Sequence, residues 1–155
     1  MTSIETVSII YQHPRILLGM KKRGFGADMY NGFGGKTEAN ESLIKCAIRE
    51  TKEETEITMI NPIRMGNILF HFQSEEPDHN VHFFKASLYT GKLKESEEMK
   101  FRWFHINKIP YNQMWPDDEY WMPLLLNGKF FRGEFEFNLE GKIAKYELNE
   151  VSRLD

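Results

Sequence analysis

Short apolar and β-branched runs, broken by glycine, proline and acidic turns, recur along the chain and predict many strands and few helices. Thr6-Val7-Ser8-Ile9-Ile10-Tyr11 predicts a first strand, and Ile16-Leu17-Leu18-Gly19-Met20 its hairpin partner across His13-Pro14-Arg15. Residues 21–36 carry five glycines and read as irregular backbone passing close to something. Residues 42–54 predict a helix, with Leu43, Ile44, Ala47 and Ile48 at helical spacing and Asn40 as its N-cap. On that reading Ile44, Ala47, Ile48 and Thr51 face the sheet and Cys46 lies on the outer side. Residues 64–73 and 81–89 predict two strands around the polar turn 75–80, and residues 101–105 another. Residues 117–126 predict a second helix ending at Asn127-Gly128, with Pro123 near its start or kinking it. Residues 130–137 and 143–148 close the chain as a hairpin. The pattern is mixed α/β, and no repeat or linker divides residues 1–155, so a single domain is expected.

Composition narrows the classes. Of 155 residues 41% are apolar and 28% charged, which excludes wholesale disorder. The net charge of -3 provides no general pull toward nucleic acid or acidic lipid, so neither a nucleic-acid polymer nor a membrane is an expected partner. The single cysteine, Cys46, excludes an intrachain disulfide and a cysteine-based zinc cage. The five histidines have no metal-ligand spacing and read as structural or exposed. The first residues lack a basic stretch followed by an apolar core, and no apolar run approaches the ~20 residues that span a bilayer, so a cytoplasmic monomer is expected. Aromatic residues reach 14%, enough to fill a core and also to line a pocket for a flat ligand.

Chemistry concentrates in the first helix. Glu50, Glu53 and Glu54 stand at i, i+3 and i+4, so three carboxylates project within an arc of about 100°. Like charges so placed repel, and a divalent cation would reverse the penalty; hard Mg²⁺ prefers carboxylate oxygen, water and phosphate. A solvated acidic face is the plain alternative.

The surrounding residues resemble the Nudix box: glycine, five residues, glutamate, seven residues, then Arg-Glu-aliphatic-x-Glu-Glu-x-Gly-aliphatic. Gly35, Glu41, Arg49, Glu50, Glu53, Glu54 and Ile57 match it; Thr51 and Glu56 depart, at a packing and a capping position. The resemblance implies a Nudix α/β/α sandwich with a mixed sheet, and a site holding Mg²⁺ or Mn²⁺. Glu50, Glu53 and Glu54 would be metal ligands, one of them also the base toward water, with a carbonyl from Gly34 and with Glu98 as an additional metal-proximal group. Arg49 would hold the glutamates by ion pairing.

Residues 17–26, 31–36 and 114–121 are similar to the MutT-homologue subgroup, oxidised purine nucleoside triphosphatases that act on 8-oxo-dGTP and 2-hydroxy-dATP. That likeness implies a purine site built from Trp115, Pro116, Asp117, Asp118 and Asn31, walled by Phe25, Phe70 and Phe72. Thr6 and Lys21 would stand at its polar margin, and Phe33, Gly34, Gly35 and Lys36 would also bind substrate. Trp115 offers a face for stacking, Asn31 a donor and an acceptor, and two adjacent aspartates in an apolar pocket would share one proton. Asp117 as a plain helix cap is the alternative for that block. Another modified purine, such as an O6-methylguanine nucleotide, or a catalytically weak nucleotide-binding module are the competing functions.

Overall fold

The computed structural model describes residues 1–24 and 26–155, so Phe25, expected in the pocket wall, lies outside the described residues. Strands β1 (Ser3–Gln12), β2 (Arg15–Lys21), β3 (Tyr30–Asn31) and β4 (Phe33–Lys36) precede helix α1 (Leu43–Thr55). After it come β5 (Thr58–Ile60), β6 (Ile63–Phe72), β7 (His79–Ala86), β8 (Leu88–Thr90) and β9 (Met99–His105). Helix α2 (Asp118–Leu126) and the hairpin β10 (Phe130–Phe137) and β11 (Ile143–Val151) complete the chain. The main sheet runs β11-β10-β6-β7-β1-β2-β3, with β4 also on β1 and β9 on β2; β5 and β8 form a separate ribbon. It is mixed, since β1–β7 and β10–β6 are parallel and the other pairs antiparallel.

Alternation along the central strands builds a core on each face. Ile9, Ile16 and Leu18 join Trp121, Met122 and Leu125 of α2 with Phe83, Phe131 and Phe135. Their neighbours Ile10 and Leu17 point the other way, to Ala47 of α1 with Phe33, Ile57, Met59 and Phe84. Period-two side chains in a strand covered on both faces give this division, and helix, sheet, helix is the expected sandwich.

Several local expectations are corrected. Two short strands, β3 and β4, run through the glycine-rich segment read as irregular. Gly34 has room for no Cβ, which would lie 1.7 Å from the Thr6 carbonyl oxygen, so β4 lies against β1 on backbone alone. Ser42, not Asn40, caps α1: its hydroxyl accepts from the Lys45 N–H at 3.3 Å, while Asn40 takes a left-handed φ of 63° in the preceding turn. Ile44 is exposed and Cys46 is fully buried, the reverse of the expected phase, with Ala47, Thr51 and Thr55 completing the buried stripe. Pro123 lies inside α2, where it cannot donate to the carbonyl of Glu119, an exposed residue one turn earlier. Strand β5 has no counterpart in the predicted elements, and the strand predicted over residues 81–89 is divided at Ser87 into β7 and β8.

Candidate active site

Arg49 organises the carboxylate helix. Its guanidinium grips Glu41 in bidentate fashion, at 2.7 and 3.0 Å, and donates to Glu50 at 2.8 Å, Glu53 at 3.2 Å and the Lys36 carbonyl at 3.1 Å. These bonds hold the Glu41 carboxyl down at about 2. Arg49 therefore ties α1 to the loop before it and to the end of β4, the positioning role expected of it. Lys36 takes part through its backbone; its side chain is exposed.

Glu54 faces differently. Its Oε1 accepts from the Gly34 N–H at 3.0 Å, and burial pushes its carboxyl up to about 7, with the Glu50 and Glu53 charges adding to the rise. Gly35 is packed against the Glu50 carboxylate, whose atoms lie 2.5 Å from where a Cβ would stand. Among the described residues no three carboxylate, imidazole or thiol groups converge as a finished metal cage, because Arg49 draws Glu50 and Glu53 to itself. The donor set nevertheless suits a hard cation: oxygen ligands only, one of them desolvated and raised by like charges that a divalent ion would offset. Glu98 is turned to Arg23, with which it forms an exposed ion pair.

A cavity of about 400 Å³ opens beside this helix, lined by Thr6, Lys21, Asn31, Gly34, Gly35, Glu54, Phe70, Phe72, Trp115, Asp117 and Asp118 among others. The glutamate end and the aromatic end thus belong to one space. Asp117 and Asp118, at the start of α2, are 6% and 7% exposed. Asp117 makes no capping hydrogen bond; its Oδ2 accepts from the Trp121 indole N–H at 2.9 Å. Burial raises both carboxyls, and Asp118, facing the Asp117 charge without as good a donor, is raised further. Asn31 donates to the Met29 carbonyl at 3.3 Å, which fixes its amide at the cavity wall. Thr6 is fully buried and its hydroxyl meets the Cys46 thiol at 3.4 Å, tying the strand to α1.

Phe33 is the exception among the expected aromatics: its side chain packs with Phe101 in the α1-side core and does not line the cavity. Pro116 and Lys36 also stand outside the lining. Conversely, Trp121, Met122, Phe83 and Phe137 line it without having been expected to. Phe137 stacks on both Phe70 and Phe72, at 6.0 and 5.7 Å between centroids. The parallel β6–β10 register that sets it opposite Phe72 is a long-range pairing that local pattern does not encode. The histidines, read as structural or exposed, include one in the lining, His79.

The chain resembles known proteins in sequence and in fold. Residues 3–125 match the model of the NUDIX domain. The chain is 46% identical over 149 residues to the oxidized purine nucleoside triphosphate hydrolase of Danio rerio, covering 96% of each. It is 44% identical over 146 residues to the protein of the same name from Mus musculus, covering 94% of each. Among solved structures, a MutT protein from Bacillus halodurans superposes with a TM-score of 0.84 at 26% identity, covering 95% of this chain and 97% of that one.

Proposed function

The chain belongs to the Nudix hydrolase family, and from that membership we propose that it hydrolyses oxidised purine nucleoside triphosphates to the monophosphate and pyrophosphate. The observation that carries this reading is the single cavity joining Glu54 and the glycines of β4 to the buried Asp117–Asp118 pair. A phosphate-handling end and a base-reading end in one space fit a nucleotide held along its length.

Base reading rests on protonation. Burial raises both carboxyls and each opposes the ionisation of the other, so the pair shares one proton: one aspartate donates and the other accepts, with the Trp121 N–H favouring Asp117 as acceptor. A pair that offers one donor and one acceptor, and can exchange which is which, meets the lactam edge of an oxidised guanine or of an oxidised adenine. Trp115, at the cavity mouth, supplies a stacking face, and Asn31 reads a further polar edge.

At the other end Glu50, Glu53 and Glu54, with the Gly34 carbonyl and Glu98 swung from Arg23, would hold Mg²⁺ or Mn²⁺. Such an ion, when bound, neutralises phosphate charge and lowers the pKa of its water. Arg49 keeps the helix carboxylates aligned, and we assign the role of base toward water to Glu54, whose desolvation against the Gly34 amide supports that reading. On this reading the chain is a monomer that works on the cytoplasmic nucleotide pool.

The deciding measurement is pyrophosphate release from 8-oxo-dGTP, 2-hydroxy-dATP, O6-methyl-dGTP and dGTP with Mg²⁺. Preference for the first two over dGTP is expected. Preference for O6-methyl-dGTP would reassign the base, and tight binding of all four without turnover would leave a nucleotide-binding module.

A further inference from the structure

The cavity has a second polar wall, at the end of the sheet where β1 and β7 begin. His79 opens β7 in parallel register with Ser3 of β1, and Glu5 stands two residues further along β1. The His79 Nδ1 pairs with Glu5 Oε2, and its Nε2 lies 3.2 Å from Glu76 Oε1. Ser3 adds its hydroxyl, donating to Glu5 and 3.3 Å from His79 Nδ1. The imidazole also meets Phe72 edge to face, with centroids 5.4 Å apart, and so continues the Phe70–Phe137–Phe72 wall. His79, Glu5 and Glu76 all line the cavity, and no hydrogen bond or ion pair joins them to Asp117, Asp118 or Asn31 among the described residues.

The arrangement is costly unless it is used. Two carboxylates at the wall of a cavity for a polyanion oppose binding, and the imidazole between them is the group that both contact. A carboxylate oxygen lies at each ring nitrogen, so either N–H finds an acceptor and the ring is held in one orientation beside Phe72. A flat ring so held at the cavity wall offers a purine a stacking surface, as an aromatic side chain does.

We propose that His79, clamped between Glu5 and Glu76, is a specificity-determining contact for the purine in this cavity, with the two glutamates as positioning residues that act through it. The proposal rests on the function proposed above and deepens it by adding a stacking wall beyond Trp115.

The test is steady-state hydrolysis of 8-oxo-dGTP by the wild type, His79→Leu, and His79→Leu combined with Glu5→Gln. Binding of 8-oxo-dGMP is followed in parallel by tryptophan fluorescence. His79→Leu should raise KM, and the product Kd with it, by about tenfold, with kcat within about twofold. Adding Glu5→Gln should recover roughly threefold or more of that loss, because it removes a carboxylate left facing the anion. A purely structural role would lower the thermal midpoint without this recovery. If His79→Leu does not fold, His79→Gln, which keeps a donor toward Glu5, should still raise KM about threefold. An unchanged KM in a folded His79 variant, or a double variant no better than the single one, overturns the proposal. Failure of the wild type to hydrolyse 8-oxo-dGTP would instead overturn the functional reading beneath it, so the two failures are distinguishable.

Discussion

The indole N–H of Trp121 donates to Asp117 Oδ2 at 2.9 Å across one turn of α2, and both residues line the cavity. In the proposed base-reading pair, this core tryptophan favours the anionic form of Asp117. Trp121→Phe keeps most of the packing and removes the donor. Asp117 should then rise further, and KM for 8-oxo-dGTP should increase by an amount corresponding to ~1–3 kcal/mol, the penalty of an unserved buried acceptor. Kinetics and carboxyl titration by NMR check both parts; an unmoved Asp117 resonance would break the link.

Glu54 ties activity to stability in opposite senses. Its carboxyl is raised from 4.5 to about 7 in the folded protein. The native state therefore binds the proton more tightly, so this contribution to stability is full below 4.5 and is lost as pH rises through 7. Glu54→Gln should lack that decline while turnover at saturating Mg²⁺ falls by roughly 10²-fold or more, as should turnover of Glu53→Gln. Denaturant midpoints between pH 4 and 8, read beside the assay, give the answer. Near wild-type turnover in both variants would remove the carboxylates from the metal site.

His82 should show the reverse slope. It is 8% exposed with its Nδ1 unpartnered, and burial, aided by the Arg64 and Arg132 charges, lowers it to about 4. The unfolded chain binds more protons between 4 and 6.5, so stability is full above 6.5 and is lost as pH falls toward 4. His82→Gln should flatten that limb, visible as a thermal midpoint less sensitive to acid than that of the wild type.

Glu56 occupies a left-handed φ of 68° just after α1, its N–H bonded to the Lys52 carbonyl at 2.8 Å. Lys52 does not reach back to it, since its ammonium lies 3.4 Å from Thr58 Oγ1. Glu56→Gly should relieve about 1 kcal/mol of backbone strain and an unfavourable charge at the helix end, offset by ~0.4–1 kcal/mol of unfolded-state entropy. A small rise in the denaturant midpoint with unchanged activity is expected; a fall would mean that the side chain is favourable where it stands.

How much of this was legible depends on the range of the cause. The carboxylates of α1 and Arg49 could be read because helical periodicity and a fixed spacing are local. The same periodicity misplaced Ile44 and Cys46, since apolar character at one position competes with a rotation of about 100° per residue, and the thiol was the better fit beneath Thr6. Strand β4 was hidden because Gly34 and Gly35 carry no side-chain pattern; it exists through its backbone ladder with β1. Phe137, Trp121 and His79 reach the cavity through strand register and the seating of α2, which depend on residues far away in the chain.

Strand β1 has a further consequence. Glu5 and Val7 line the cavity and Ile9 enters the α2-side core, while Thr6, which borders the cavity as well, reaches Cys46 and Ile10 enters the α1-side core. Base end and carboxylate helix are thus written in alternate letters of one short segment. Insertion or deletion of a single residue there would exchange the two sets, swapping odd for even on both faces at once. The two halves of the site cannot drift apart one at a time; an error of parity in one is an error in the other.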